Sequence, residues 1–498
     1  MVMKHFGIIK HVKKLKPYKD LSRRQYSTGV IIVGLVALVG VHFLFGSKAL
    51  SPYIAVEAES GVVNSPAEIY SDPTASNGEA VIFGTGSSTG NNVPRISFYP
   101  GNNEFPQNMP GQPVAGQATV LPNLGHTVPL GEFYLSGNDW GTSQWGILSS
   151  LDTYWEGPGS SGQPWANYSY RPVIAVPMLA NGNATTLTLT KDGQSDTDGD
   201  DYAAAAKTEP SPVSSFEDCA TTAPDLPYGP YGQFYVALAK EMIAYGIKDP
   251  IVRLGWEFNG SWFGATDANT DFNPNVPYQD NFQNFIKCYQ DEASALKTTD
   301  PQIMIDFNPS TGEPTGNTEA NGDWVPLNWE SLYPGNQYVD IIGLDMYDSS
   351  GNYPAGTNDK PSLLPCTGDT PGTSACTTVQ DAEALNYQKE AWNQTVTGTG
   401  GLNDQVTFAA EHNKPMSFPE WGLWIGCYND QCGGDDPYYI SQVYSWVTTH
   451  NFYYLSYFNQ DDNGSDNAIN DGQFPNSLNT FTQLFTPLAA ESPNYPPG

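Results

Sequence analysis

Basic residues are scarce. The 498-residue chain carries 21 Lys and Arg against 53 Asp and Glu, for a formal net charge of −32. Nucleic-acid binding needs a basic face, so this balance argues against such a partner and favours neutral substrates. Cysteine is limited to six residues, none in CxxC spacing, which argues against a structural zinc site. No glycine-rich phosphate loop follows an apolar run, so the signature of a dinucleotide-binding sheet is missing. There is no short internal repeat. Long hydrophobic runs are absent apart from one, "GVIIVGLVALVGVHFLFG", residues 29–46.

That run lies near the lower length limit for a membrane-crossing helix. Eight of the Lys and Arg precede residue 25, whereas beyond residue 49 there are 12 against 52 acids. The basic segment 1–28 is therefore expected to stay cytoplasmic and the acidic remainder to be exported. "SKA", Ser47–Ala49, has the small-x-small form of a signal-peptidase site, so a cleaved leader and a retained anchor both remain open. The chain is expected outside the cell, tethered by one N-terminal helix or secreted. Disulfides can form there. Cys366–Cys376 and Cys427–Cys432 would close short loops, leaving Cys219 with Cys288.

Residues 53–84 alternate in short runs between Gly, Pro, Asn and Ser clusters and predict β-strands. "GTGSSTGNN" follows, placing a linker at about 85–92. From 93 to 487 the pattern changes to strand, loop, helix, and 488–498 is a tail. Buried parallel strands are predicted in "RPVIAVPML" (171–179), "PIVRLGW" (250–256), "QIMIDFNP" (302–309), "VDIIGLDMY" (339–347), "KPMSFPEWG" (414–422) and "FYYLSYFN" (452–459). Helical periodicity marks 232–246, 280–297 and 438–450. The polar stretches 192–231 and 350–405 read as surface loops. Strands alternating with helices at this length predict an α/β fold, a (β/α)8 barrel, with a doubly wound sheet as the alternative.

Barrel enzymes place their chemistry at the C-terminal ends of strands. Glu257 ends "PIVRLGWE", where Arg253, Gly255 and Glu257 share parity and are expected to face one side. Glu420 ends "KPMSFPE". Asp345 and Tyr347 end a third strand. A carboxylate in an apolar strand costs several kcal/mol unless it is paired or neutralised. Glu257 could simply pair with Arg253, but two such acids at matching strand ends suit glycoside hydrolysis.

The segment "RLGWEFNGSW" resembles the acid/base motif of glycoside hydrolase family 26, in the retaining (β/α)8 clan A. That motif runs Arg, one or two residues, His-Glu-Met-Asn-Gly, one residue, Trp. Arg253, Glu257, Asn259, Gly260 and Trp262 match it. The resemblance implies Glu257 as acid/base and Glu420, in "FPEWG", as nucleophile, with Tyr347 contacting the nucleophile. Substrate contacts are expected from Trp256, Asn259, Trp262, Tyr347, Arg253 and Trp421. No cofactor and no catalytic metal is implied. The family's mannanases usually carry His where Trp256 stands, and an indole donates a hydrogen bond but cannot accept one. An endo-β-1,4-mannanase-like activity on polysaccharide is the leading expectation. A β-1,3-xylanase, a mixed-linkage β-glucanase and a non-catalytic carbohydrate-binding barrel are the alternatives. Residues 53–84 resemble the opening of family 6 and 35 carbohydrate-binding modules through "VEAESG" and "ASNGEAVIFG". Glu57 and Glu59 match their structural calcium positions, although the stretch is far shorter than such a module.

Weaker signals remain. Asp196, Asp198 and Asp200 have calcium-loop spacing, but the usual Gly is Asp201 and the twelfth-position Glu is missing, so a solvated acidic loop is the simpler reading. Trp140, Trp145, Trp155, Trp165, Trp324 and Trp424 fall in or beside loops and are candidates for packing or sugar stacking. Tyr457 or Phe458 could floor a pocket at the last strand's end. Arg171 opens an early strand, with a structural or a functional role equally open.

Overall fold

The computed structural model describes residues 68–71, 79–82, 93–100, 128–137, 147–155, 165–180, 215–221, 227–263, 266–275, 281–312, 316–318, 324–349, 378–427, 431–462 and 465–491. The chain divides into two units, Met1–Asn91 and Asn92–Gly498. In the first, Glu68–Ser71 pairs antiparallel with Glu79–Ile82. The expected membrane segment 29–46, the calcium candidates Glu57 and Glu59, the linker 85–92, the acidic loop at 196–201, and Cys366 with Cys376 all lie outside the described residues. Among the described residues, no helix is long and apolar enough to cross a membrane.

The second unit is a (β/α)8 barrel. Its parallel strands are β1 (Arg95–Tyr99), β2 (Leu130–Tyr134), β3 (Arg171–Val176), β4 (Ile251–Leu254), β5 (Met304–Phe307), β6 (Ile341–Gly343), β7 (Met416–Gly422) and β8 (Phe452–Phe458). Hydrogen bonding runs β1-β8-β7-β6-β5-β4-β3-β2. β1 and β2 lie side by side and complete the ring. Tyr99 and Tyr134 meet there edge-to-face, with centroids 5.1 Å apart. The expected doubly wound alternative is excluded by this closed order.

The longer helices among the described residues are α1 (Ile147–Trp155), α2 (Gly229–Ala244), α3 (Gln283–Thr299), α4 (Thr378–Thr397), α5 (Leu402–His412), α6 (Pro437–Thr449) and α7 (Pro475–Glu491). Helical spacing puts Phe285, Tyr289, Glu292 and Leu296 on one buried face of α3. Cys219, in the short helix Phe216–Cys219, is bonded to Cys288 of α3, and Cys427 to Cys432. α4 lies wholly inside the stretch 350–405 expected to be a loop. Its sequence is polar with little apolar periodicity, and Trp392 ties it to Tyr439 and Trp446 of α6.

Two separate cores follow from strand alternation. The large one lies between sheet and helices. The small one fills the barrel floor with Leu130, Val173, Ile251, Ile341 and Tyr454. Arg171 belongs to this floor: its guanidinium donates to Asp249 O, to Tyr453 Oη and to Met304 Sδ. It holds strand starts together, at the end opposite the site. Above the floor the barrel interior turns polar. Asp306 accepts from Ser417 Oγ (2.6 Å) and Tyr454 Oη (2.8 Å). Gly343 is required beside it, since an added Cβ would stand 2.5 Å from Asp306 Oδ1.

Candidate active site

The strand β4 stops at Leu254, and the next residues do not continue the pleat. Gly255 and Glu257 both adopt left-handed backbone, with φ of 60° and 50°. A side chain at Gly255 would strike Met178, 2.6 Å from its Sδ. Glu257 therefore reaches the barrel mouth through a tight turn, not through the strand alternation expected from parity. A non-glycine residue held in this region is uncommon and marks a position the surroundings enforce. Glu257 N donates to Asn308 O at 2.7 Å, and Gly260 N donates to Glu257 O at 2.8 Å. These bonds clamp the turn.

Glu257 and Glu420 meet at the mouth. One oxygen from each, together with one from Asp345, lies within 4.8 Å of the others. Their surroundings differ. Glu420 Oε1 accepts from Tyr134 Oη and Arg253 Nη2, each at 2.6 Å, and Oε2 accepts from Tyr347 Oη at 2.7 Å. Its backbone N donates to Asp345 Oδ1 at 2.8 Å. Glu257 is buried, with Trp262 Nε1 donating to its Oε2 at 2.5 Å and Ser310 a second hydrogen-bond partner. Burial first, and the Glu420 charge second, push the Glu257 carboxyl up to about 8.

Arg253 is the hub, fully buried inside the ring. Its Nε donates to Asn308 Oδ1 (2.7 Å) and its Nη2 to Asp345 Oδ2 (2.8 Å) as well as to Glu420. Its Nη1 donates to Glu132 and to Tyr134 Oη (2.7 Å). Burial works against its charge, but Asp345, Tyr134, Glu132 and Glu420 outweigh it and hold the guanidinium charged. The structural pairing considered for Glu257 and Arg253 gives way to this arrangement: among the described residues, Arg253 forms ion pairs with Glu132, Asp345 and Glu420. Burial raises Glu132 to about 7, with Arg253 acting against it.

The remaining expected contacts divide. Trp256 lies at the mouth, edge-to-face with Tyr134 (5.4 Å) and tilted against Phe263 (5.4 Å), with its Nε1 buried and unpartnered. Tyr347 stands beside Trp424, ring centroids 5.0 Å apart. Asn259 is a brace: its Oδ1 accepts from Ser310 N (2.8 Å), and its Nδ2 donates to Ser310 O (2.9 Å) and Gly312 O (3.4 Å). Trp421 is not at the mouth. Adjacent strand residues point to opposite faces, so Trp421 turns outward into the helix layer against Phe481 and Phe485. The same rule separates the last strand's pair. Phe458 stacks on Tyr99 at 4.6 Å and meets Tyr347 edge-to-face, whereas Tyr457 packs outward on Trp421. Trp155 and Trp165 are core residues, and Trp140 and Trp145 lie outside the described residues.

The sequence reading missed β2 and with it Glu132 and Tyr134, two direct partners of Arg253. The available signal was an acid inside the apolar run "VPLGEFYL", the same signal that marked Glu257. The three clustered carboxylates have the spacing of a cation site, but Arg253 already supplies a cation to Asp345 and Glu420. The second such cluster, Cys219, Cys288 and Glu292, is built on a disulfide.

No protein-family model and no curated protein sequence matches the chain. Solved structures do. A family 26 β-mannanase of Bacteroides ovatus is 11% identical with a TM-score of 0.37, over 80% of this chain and 90% of that one. A modular endo-β-1,4-mannanase of Cellulomonas fimi is 14% identical with a TM-score of 0.39, over 82% and 76%. A fungal β-1,4-galactanase is 12% identical with a TM-score of 0.36, over 72% and 88%. These are likenesses of chain path, and the chemistry rests on the geometry above.

Proposed function

We propose that the chain is a retaining glycoside hydrolase cleaving β-linked polysaccharide by double displacement. One observation carries the reading: Glu257 and Glu420, from the ends of β4 and β7, bring oxygens within 4.8 Å of each other in unequal surroundings. Retaining enzymes hold their two carboxyl groups about 5–5.5 Å apart, whereas inverting enzymes leave about 6.5–9.5 Å for a water. Glu420, served by Arg253, Tyr134 and Tyr347, attacks the anomeric carbon and forms a covalent glycosyl-enzyme. Glu257, raised to about 8 and therefore protonated at neutral pH, gives its proton to the leaving oxygen. It then takes a proton from the incoming water. The two tyrosines hold the attacking carboxylate in line, and Phe458 floors the site.

The motif around Glu257 supports a mannan-type substrate and internal cleavage. Trp256 in place of His supports a β-glucan as the second candidate, since its donor-only nitrogen presents different chemistry to a sugar hydroxyl. Export, with the protein tethered or released, rests on the apolar run 29–46 and its basic flank. The test is hydrolysis of mannan, β-1,3-xylan and mixed-linkage β-glucan by the purified protein, with product configuration followed by NMR. Retention at the anomeric centre supports the reading. Inversion, or polysaccharide binding with no cleavage, overturns it.

A further inference from the structure

Five large hydrophobic side chains are exposed among the described residues: Ile243, Trp262, Phe263, Trp324 and Leu385. The three aromatic ones stand on the loops that follow β4 and β5, at the barrel end that holds Glu257. Trp262 is 48% exposed, Phe263 40% and Trp324 59%. Exposed aromatic surface gathered on two neighbouring loops marks a candidate binding face.

The two loops are joined. Asn259 grips Ser310 and Gly312, and Asn317 Nδ2 donates to Asn269 Oδ1 at 2.7 Å. Trp324 stands on the small hairpin of Gly316–Thr318 and Trp324–Pro326. Each exposed tryptophan is seated on a glycine. An added Cβ at Gly260 would stand 2.5 Å from the Trp262 ring, and one at Gly316 would stand 2.4 Å from the Trp324 ring. Neither glycine has the positive φ that favours glycine. Close approach of the ring accounts for Gly260, and close approach of the ring and of Val325 O accounts for Gly316. Each indole is thus held close against a glycine while about half of the residue remains exposed.

We infer that Phe263 and Trp324, continuing from Trp262, form a stacking ledge for the leaving-group part of a polysaccharide chain. The proposal rests on the glycosidase reading. Glu257 protonates the leaving oxygen, and Trp262 is hydrogen-bonded to Glu257. The sugars beyond the cleaved bond must leave past that side. Flat apolar ring faces suit the C–H faces of pyranose rings and cost little ordering entropy when already seated. A ledge extending to Trp324 makes room for more than one sugar after the cleaved bond, as a polymeric leaving group needs.

The test compares kcat/KM on soluble glucomannan with kcat/KM on an aryl β-mannobioside, whose leaving group is a single small ring. In Trp324→Ala and Phe263→Ala, the polymer-to-aryl ratio is expected to fall about tenfold. Gly316→Val, which displaces the Trp324 ring, is expected to lower the ratio too. Leu385→Ala, far from the loops in sequence, serves as the control. An unchanged ratio in Trp324→Ala and Phe263→Ala, with the native enzyme active on both substrates, overturns the ledge and leaves the glycosidase reading standing. If the native protein cleaves neither substrate, the mannan assignment falls, and the glycosidase reading falls with it only when β-1,3-xylan and mixed-linkage β-glucan also resist. Calorimetric binding of glucomannan then still decides the ledge, by whether Trp324→Ala weakens it.

Discussion

Trp262 Nε1 donates a hydrogen bond to Glu257 Oε2 at 2.5 Å, from a position five residues further along the same loop. The indole favours the ionised form of a carboxyl that burial and Glu420 otherwise push up to about 8. Glu257 must be protonated to act as an acid, so activity falls as pH rises through its pKa. Trp262→Phe removes the donor and raises that pKa further. The alkaline limb of the kcat/KM profile is expected to move to higher pH. A limb that stays or moves down would show that another group sets it.

Arg253 should be the least replaceable residue of the site. It faces Glu132, Asp345 and Glu420 from inside the ring. Arg253→Met leaves those carboxyls without their cation, and removing one partner of a buried ion pair costs about 3–5 kcal/mol. Urea unfolding is expected to show a loss of that size, with activity abolished. Arg253→Lys keeps the charge but not the fork that serves five acceptors at once, so it should recover part of the stability and little of the activity.

The fold carries a second, independent pH signature on its outer layer. Glu241 of α2 is buried near Asp152 of α1. Burial first and Asp152 second push its carboxyl from 4.5 up to about 9. The folded chain therefore keeps a proton that the unfolded chain has lost. The contribution to stability is fully present below the unfolded pKa and is lost as pH rises through the folded one. Glu241→Gln is expected to match the native Tm in mild acid and to exceed it increasingly towards pH 9. A constant Tm difference across the range would contradict this.

The Cys219–Cys288 bond joins positions separated by 69 residues. Cross-links over loops of this length stabilise by about 4 kcal/mol in the chain-entropy model. The double variant Cys219→Ala, Cys288→Ala should lose stability of that order in denaturant. Its active-site residues should keep their pH profile, because neither cysteine touches the barrel mouth.

The barrel was legible where acids interrupt apolar strands. β4 and β7 declared themselves through Glu257 and Glu420 because an unpaired carboxylate in such a run needs a compensating partner. β2 carried the same sign in Glu132, but its run is short and broken by Gly131, and β1 is equally short. Their pairing comes from ring closure, which no local pattern encodes. Trp421 shows the opposite limit. It stands next to Glu420 in sequence, yet the pleat turns it into the helix layer, and only strand parity could have said so. Glu257 escapes parity altogether because two left-handed residues redirect the chain. α4 was unreadable for a different reason: its face is polar, and it is held by Trp392 against aromatics far away in sequence.

The most direct test of the double-displacement account is mass spectrometry of the protein inactivated by a 2-deoxy-2-fluoro glycoside with a good leaving group. The covalent sugar is expected on the peptide containing Glu420, and Glu420→Gln is expected to take no label. Label on another residue, or turnover of the polysaccharide by Glu420→Gln at the native rate, would contradict it.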